Sequence, residues 1–430
     1  MFMYHLKMSL NKFQDPLWQL ILYVGMNPLF KLLHRDVYNI SLWMLGFISY
    51  VCVWYKMYWV GLSLGLTVIL FLLFKTYLSC GVCINPYTTE RQYNNSYLNI
   101  STKIPVLFLH GLSSYDNGYE YGIIMCEEIV HLITRFKNIV RPKINARILK
   151  ELNISIPLSF RDEILGMYEA INLTYPGKFT YWDILMIQLL PELDNMSCTC
   201  YATYDTDGNV ILGRNMDWIP FSSAQYSIII SYGNYHSLVV PGLIGCITAW
   251  KPNFALAMNV VGGEHQFNAK KLPSMLFNKS VMTYANTIEE ADIFISNNQP
   301  ATAYHLTIAN KKNVFSYSFY QRENQKTYIR RMSNSNKTLT VLNWTYPSND
   351  NGKYISKTRD EYIKYIKNKN KIRDIKHVIT VLQKCQTFET MHSLIFVFGE
   401  IYIPHITIDN GFSADKLTDE VNFSMGSIVV

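Results

Sequence analysis

The sequence predicts a mixed α+β protein in which strands pack against helices, preceded by an apolar membrane-anchoring helix. Three observations carry this expectation. Residues 57–74 hold no charge, residues 120–190 space their apolar side chains as helices do, and from Cys198 onward the pattern changes to short β-favouring runs. With 430 residues, 49% hydrophobic and 14% aromatic, the chain can bury one large core or two modest ones.

Taken in order, residues 37–78 are interrupted by charge only at Lys56 and Lys75. The uncharged stretch 57–74 comes close to the ~20 residues that span a bilayer core. Tyr58, Trp59 and Tyr77 sit at its ends, where interfacial aromatics belong. Residues 42–54 are shorter and read as an interfacial or half-buried helix. The segment begins well past residue 30 and shows no small-residue cleavage site, so it reads as an uncleaved signal anchor. Lys7, Lys12, Lys31 and Arg35 precede it, which places residues 1–85 as a cytosolic N-terminus plus anchor. The remainder is then expected in the lumen of the endoplasmic reticulum or lysosome, or outside the cell; a second span over 42–54 would invert that. Asn-x-Ser/Thr acceptors at Asn94, Asn99, Asn153, Asn172, Asn195, Asn278, Asn336, Asn343 and Asn422 are compatible with a lumenal glycoprotein.

Residues 120–136 place Ile123, Ile124, Val130 and Ile133 at helical spacing, and 144–170 continue helix-like. Another helix runs from Thr180 to near Pro191. Strand patterns follow at 226–232, 238–241, 254–261, 314–320 and 338–342, with helices at 274–287, 288–297 and 359–386. No internal repeat or low-complexity segment interrupts them.

The most informative stretch is a hairpin. Tyr201, Ala202, Thr203 and Tyr204 form a β-favouring run, Asp205-Thr206-Asp207-Gly208-Asn209 supplies turn chemistry, and Val210-Ile211-Leu212 begins the return strand. Such a hairpin folds Arg214 and Asp217 back alongside Cys198. A thiol, a guanidinium and a carboxylate then converge, and a thiol beside a cation or base is the setting for a nucleophile.

This string resembles the cysteine amidohydrolases of the choloylglycine-hydrolase superfamily, which are N-terminal-nucleophile enzymes. It looks most like acid ceramidase, N-acylethanolamine acid amidase and the isopenicillin N acyltransferase-like group. The resemblance implies an αββα sandwich and self-cleavage between Ser197 and Cys198. Cys198 would become the first residue of a β subunit, 198–430, and residues 86–197 a helical α-subunit-like segment. The freed α-amine, which ordinarily titrates near pH 7.7–8.0, would be general base for its own thiol.

Further segments carry the resemblance. Pro252 to Asn259 is similar to a family strand ending in an oxyanion-hole asparagine, and Val341-Leu342-Asn343-Trp344 to a segment whose asparagine also faces the oxyanion. Ser356-Lys357-Thr358-Arg359 matches an S-x-x-R element with a further active-site arginine. Ala303-Tyr304 and Thr387 to Met391 look like acid ceramidase, and His110-Gly111 with Gly118-Tyr119-Glu120-Tyr121-Gly122 like the opening motif of the acyltransferase-like group. The resemblance therefore implies Cys198 as nucleophile, Arg214 stabilising the thiolate or orienting substrate, Asp217 fixing the α-amine, and Asn259, Asn343 and Arg359 completing the site. One departure bears on substrate: acid ceramidase has a glutamate directly after the strand asparagine, and here that position is Val260, as the acyltransferase-like group tolerates.

The expected reaction is hydrolysis of an N-acyl amide, from an N-acylethanolamine, a ceramide or a similar lipid or amine. An acyltransferase passing the same acyl group to an amine, or an inactive membrane-tethered binding module, would keep the same sequence features. No cofactor and no metal is expected: Cys80-Gly81-Val82-Cys83 has no second pair at zinc spacing, and palmitoylation, a local disulfide or burial would each account for it. Eight cysteines are too sparse for a disulfide scaffold, and Cys200 reads as a packing residue. The formal charge of +7 is scattered, and its one dense cluster, residues 364–376, reads as a solvated helix face, so no nucleic-acid partner is expected. Gly61-Leu62-Ser63-Leu64-Gly65 matches a nucleophile elbow only formally, because it lies inside the apolar span. Residues 105–111 show a strand and glycine with no elbow downstream. The sequence carries no signal of oligomeric state.

Overall fold

A computed structural model describes residues 87–102, 104–140, 146–193, 197–217, 226–260, 267–319, 328–332, 338–342, 373–386, 390–398 and 402–408, with positions 359, 361, 363, 364, 414 and 417. All belong to the compact unit Gly81–Val430. The expected anchor at 57–74 and the Cys80/Cys83 pair lie outside the described residues. Among the described residues no helix is long and apolar enough to cross a membrane.

The fold is mixed α+β, as expected, and is built in four layers. A ten-stranded sheet runs in the order β1 (Arg91–Tyr93), β2 (Ser96–Asn99), β3 (Val106–Phe108), β6 (Ile228–Ser231), β7 (His236–Val239), β8 (Thr248–Lys251), β9 (Phe254–Val260), β10 (Tyr304–Ala309), β11 (Val314–Ser318), β12 (Tyr328–Arg331). A five-stranded sheet runs β13 (Thr338–Leu342), β4 (Ser197–Tyr204), β5 (Val210–Asp217), β14 (Thr390–Phe398), β15 (Tyr402–Ile408). Between these strands every described pairing is antiparallel except β3 with β6.

Alternation along each strand sends successive side chains to opposite faces, and here both faces are covered. Val106, Ile229, Leu238, Trp250, Ala255 and Ala257 of the large sheet meet Ala202, Leu212, Val341, Leu394 and Phe396 of the small one. Their sequence neighbours Leu107, Ile230, Leu256 and Met258 pack instead against the helical layer. On the outer face of the small sheet, Tyr201, Ile211 and Ile395 are covered by Val378, Val381 and Leu382 of a single helix, Ile375–Cys385. Burial on both faces explains why these strands read as nearly continuous apolar runs.

The helical layer holds α1 (Ser114–Ile124), α2 (Cys126–Val140), α3 (Ala146–Ser155), α4 (Leu158–Thr174), α5 (Tyr181–Ile187), α6 (Leu190–Leu193), α7 (Ser274–Tyr284) and α8 (Ile288–Asn297), and Ile375–Cys385 is α9. Side-chain caps start several of them. Ser113 accepts from the Asp116 amide, Thr287 from Glu290 and Asp374 from His377, while Thr180 and Asp183 form a reciprocal capping box. Helices α1 and α4 pack backbone to backbone. A Cβ on Gly118 would lie 1.9 Å from the Glu163 carbonyl oxygen, and one on Gly166 would lie 2.2 Å from that of Tyr115.

Several expected boundaries move for identifiable reasons. The helix read over 120–136 is two, because the chain leaves helical geometry at Met125 (φ −112°, ψ 20°). The stretch 144–170 breaks before Pro157, whose missing N–H and fixed φ suit it to start α4 rather than continue α3. The helix expected over 274–287 stops at Tyr284. That expected over 359–386 is described as helix at 359, 361, 363 and 364 and again as α9, begun by its Asp374 cap. Upstream of Cys198 the chain is not wholly helical: β1, β2 and β3 extend the large sheet. Strands β14 and β15, absent from the sequence reading, complete the small sheet.

Candidate active site

The turn of the β4–β5 hairpin forms as its residues dictate. The Asp205 carboxylate accepts from the Asp207 and Asn209 amides, and Gly208 takes φ +81°, a conformation that costs glycine least. This fixes the register: Ser197 opposite Asp217, Cys198 opposite Met216, and Cys200 opposite Arg214. Directly opposed residues share a face. Cys198, Cys200 and Arg214 therefore project between the two sheets, while Asp217 belongs with the opposite set at the strand end.

Between the sheets, Arg214 is fully buried. Its Nη1 donates to the Ile247 carbonyl (3.1 Å) and its Nη2 to the Met258 carbonyl (2.6 Å) and to Cys198 Sγ (3.5 Å). Among the described residues no carboxylate forms an ion pair with it. A desolvated cation held only by dipoles favours a negative charge on whatever faces it, and what faces it is a thiol. Burial nonetheless dominates at Cys198. The thiol is pushed up from its ordinary value by burial, pulled down by Arg214 and pushed up again by Asp217, and ends raised. In the uncut chain it is therefore protonated at neutral pH.

At the strand end a second cation appears. Arg359 Nη2 pairs with Asp217 Oδ2 at 2.5 Å, its Nη1 reaches the Cys198 carbonyl at 3.4 Å, and Thr390 Oγ1 donates to Asp217 Oδ1 at 2.5 Å. Asp217, Thr390 and Arg359 are all buried. Cys198 thus has one guanidinium at its sulfur, another at its carbonyl, and a carboxylate opposite the residue preceding it.

The structure brings together Cys198, Arg214, Asp217 and Arg359. Asn259 reaches the group less directly: it accepts from the Cys200 thiol (2.9 Å) and donates to the Val341 carbonyl (3.0 Å), bracing β4, β9 and β13. Cys200, pushed up to about 12 by burial, is an inert packing thiol. Asn343 lies outside the described residues; the last described residue of β13, Leu342, pairs with Thr199. The upstream glycine motif stays in the helical layer. Gly118 serves the α1–α4 contact, and Glu120 accepts from Ser96 Oγ and Asn94 Nδ2, tying α1 to the β1–β2 hairpin. The Asn278 acceptor is buried in α7, donating to the Cys246 carbonyl and accepting from Tyr304, so the folded protein offers no room for a glycan there.

Two residues near the site, both on β14, were given no site role by the sequence. Thr390 is one. The other is His392, opposite Met216 and so in one row with Cys198. Burial and then the Arg214 charge hold its imidazole well below the usual histidine range, hence neutral. The β-branched and aromatic run from Thr390 to Phe398 was the signal that could have found them. Among the described residues no cluster of His, Cys, Asp or Glu could hold a metal ion, and Cys126, Cys200 and Cys246 are free thiols.

No family model matches this chain. Its sequence is 21% identical to Protein dcd1B of Dictyostelium discoideum over an alignment of 248 residues, covering 49% of this chain and 49% of that protein, so the chain spans about half the length of the curated relative it matches. In structure it is similar to a Caenorhabditis elegans N-acylethanolamine-hydrolyzing acid amidase ortholog, with a TM-score of 0.40, 19% identity, and coverage of 46% of this chain and 92% of that one. It is also similar to a mutant conjugated bile acid hydrolase from Clostridium perfringens, with a TM-score of 0.36, 13% identity, and coverage of 54% and 93%.

Proposed function

We propose that this chain is a self-activating cysteine amidohydrolase that cleaves the amide bond of an N-acylated lipid or amine. The observation that carries the reading is the buried Arg214 guanidinium 3.5 Å from Cys198 Sγ, with Asp217 and Arg359 gathered at the Ser197–Cys198 bond.

The first reaction is on the chain itself. The Cys198 thiol adds to the Ser197 carbonyl carbon, the Cys198 nitrogen takes the proton and leaves, and water hydrolyses the resulting thioester. The products are a Ser197 carboxylate and a free Cys198 amine. That amine emerges beside Asp217, whose carboxylate lies opposite Ser197. In the second reaction the Cys198 sulfur adds to the substrate amide carbonyl. The α-amine accepts the thiol proton and returns it to the departing amine. An acyl thioester remains, and water releases the acid. Arg214 favours the thiolate, and Arg359 holds Asp217 in place. Asn259 and Asn343 belong to the proposal as oxyanion donors, a role in which losing one donor typically costs about 10²–10³ in rate.

Within the same proposal, residues 57–74 tether the catalytic part to a membrane with the site on the lumenal or extracellular side. Protection of an epitope at the C-terminus in sealed microsomes checks that orientation.

The test is direct. Purified protein is expected to migrate on a denaturing gel as two fragments, the downstream one beginning Cys-Thr-Cys-Tyr, and Cys198→Ala to remain a single inactive chain. Equal processing of that variant would rule out self-cleavage at Cys198. N-acylethanolamines, ceramides and N-acyl amino acids offered to the mature protein identify the acyl donor by fatty-acid release. Absence of release from all three supports the inactive binding module instead.

A further inference from the structure

Strand β14 does not run straight past the site. Its register against β5 is regular from Val397, opposite Ile211, to His392, opposite Met216. The next residue of β5, Asp217, is then opposed by Thr390, so Met391 is an extra residue. Such a bulge re-aims the side chain beyond it. Continued regularly, β14 would set Met391, a thioether, against the carboxylate. The slip sets a hydroxyl there, and Thr390 Oγ1 donates to Asp217 Oδ1 at 2.5 Å.

The carboxylate is thereby held from two sides by groups outside its own hairpin, Oδ2 by Arg359 and Oδ1 by Thr390. A terminal carboxylate torsion is soft, and with Arg359 alone the group can swing about its one bond. A second donor on the other oxygen fixes its plane. Arg359 also spans to the Cys198 carbonyl, so fixing Asp217 fixes Arg359 against the bond to be cut. All of this lies in a water-excluded site, where Asp217 and Thr390 are both fully buried. There a hydrogen bond to a charged group carries more weight than at a surface.

We infer that Thr390 is a positioning residue for both reactions: the β14 bulge delivers its hydroxyl to Asp217 and so orients the carboxylate that receives the new Cys198 amine. This rests on the self-cleavage reading and adds to it a residue that no motif singled out for this role. Thr390 touches neither substrate nor sulfur in this scheme; it acts through Asp217.

The test compares Thr390→Val, which keeps the shape and removes the donor, with Thr390→Ser, which keeps the donor. Self-cleavage is followed in the full chain by denaturing gel and intact mass, with thermal unfolding as the check on folding. Thr390→Val is expected to mature roughly 10- to 100-fold more slowly than the natural chain, the span that a hydrogen bond to a charged group commands, and Thr390→Ser within a few-fold of it. Once matured, Thr390→Val is further expected to lower the midpoint of the pH dependence of Cys198 alkylation by a fraction of a unit, because a loosened carboxylate supports the ammonium form less. A change in packing alone leaves that midpoint where it was. If Thr390→Ser is as slow as Thr390→Val, or if Thr390→Val matures at the natural rate, the inference about Thr390 is overturned while self-cleavage stands. If the natural chain itself stays whole, both fall together.

Discussion

Replacing Arg214 with methionine removes the cation that hydrogen-bonds the Cys198 sulfur. At 3.5 Å a unit charge pair at an effective dielectric of about 20 is worth about 5 kcal/mol. If half to all of that acts in the transition state, where sulfur has gained charge, Arg214→Met slows self-cleavage by roughly 50- to 3,000-fold. The fold should tolerate the change. A buried charge with no carboxylate partner among the described residues contributes little stability, and an apolar side chain of similar volume often serves as well. The Ile247 and Met258 carbonyls do lose a donor each. Arg214→Lys is the companion variant: it keeps the charge but has no planar fork to hold two carbonyls and the sulfur together, so its rate falls between the two. The assay is the half-time for appearance of the two fragments, with iodoacetamide alkylation mapped to the Cys198 peptide as a second readout. A folded Arg214→Met protein that matures within fivefold of the natural chain refutes the claim that this guanidinium activates the thiol.

Other outcomes follow from the same structure. Gly118→Ala drives a methyl group into the Glu163 carbonyl and is expected to cost about 3 kcal/mol or more by urea unfolding, since α1 and α4 have no slack at that crossing. Glu192 accepts from the amide and hydroxyl of Ser274 at the start of α7, and burial lifts its carboxyl to about 7. A folded value raised above the unfolded one means that the folded state holds the proton longer. Stability is therefore expected to fall as pH rises from about 4.5 to about 7, by up to about 3 kcal/mol, and then to level off. Glu192→Gln should flatten that slope in unfolding measurements at pH 5 and pH 8. A slope that survives the substitution assigns it to another group.

What could be read in advance follows the range of the physics involved. The β4–β5 hairpin was legible because its turn is local: an aspartate, two polar residues, a glycine and an asparagine specify the reversal, and reversal alone brings Arg214 and Asp217 back to Cys198. Helix interiors were legible from periodicity, but the break at Met125 has no proline or glycine to announce it. The partners of Asp217 were harder. Arg359 was reached only through a motif. Thr390 depends on a bulge in a strand whose pairing with β5 spans a long stretch of chain, and no local pattern encodes such a slip. Asn259 was flagged as an oxyanion donor only through the family strand that Pro252 to Asn259 resembles. Its bonds to Cys200 and Val341 arise from the stacking of two sheets, which a strand does not declare by itself.

The parallel pair β3 with β6 joins a strand from before Ser197 to one from after it. Scission at that bond would therefore leave the upstream piece laced into the large sheet by main-chain hydrogen bonds and pressed beneath it by Tyr121, Ile164 and Ile184. The mature protein would sediment as one particle and come apart only in denaturant. Having lost its covalent tie, it would not regain the original register on refolding as readily as the unbroken precursor does.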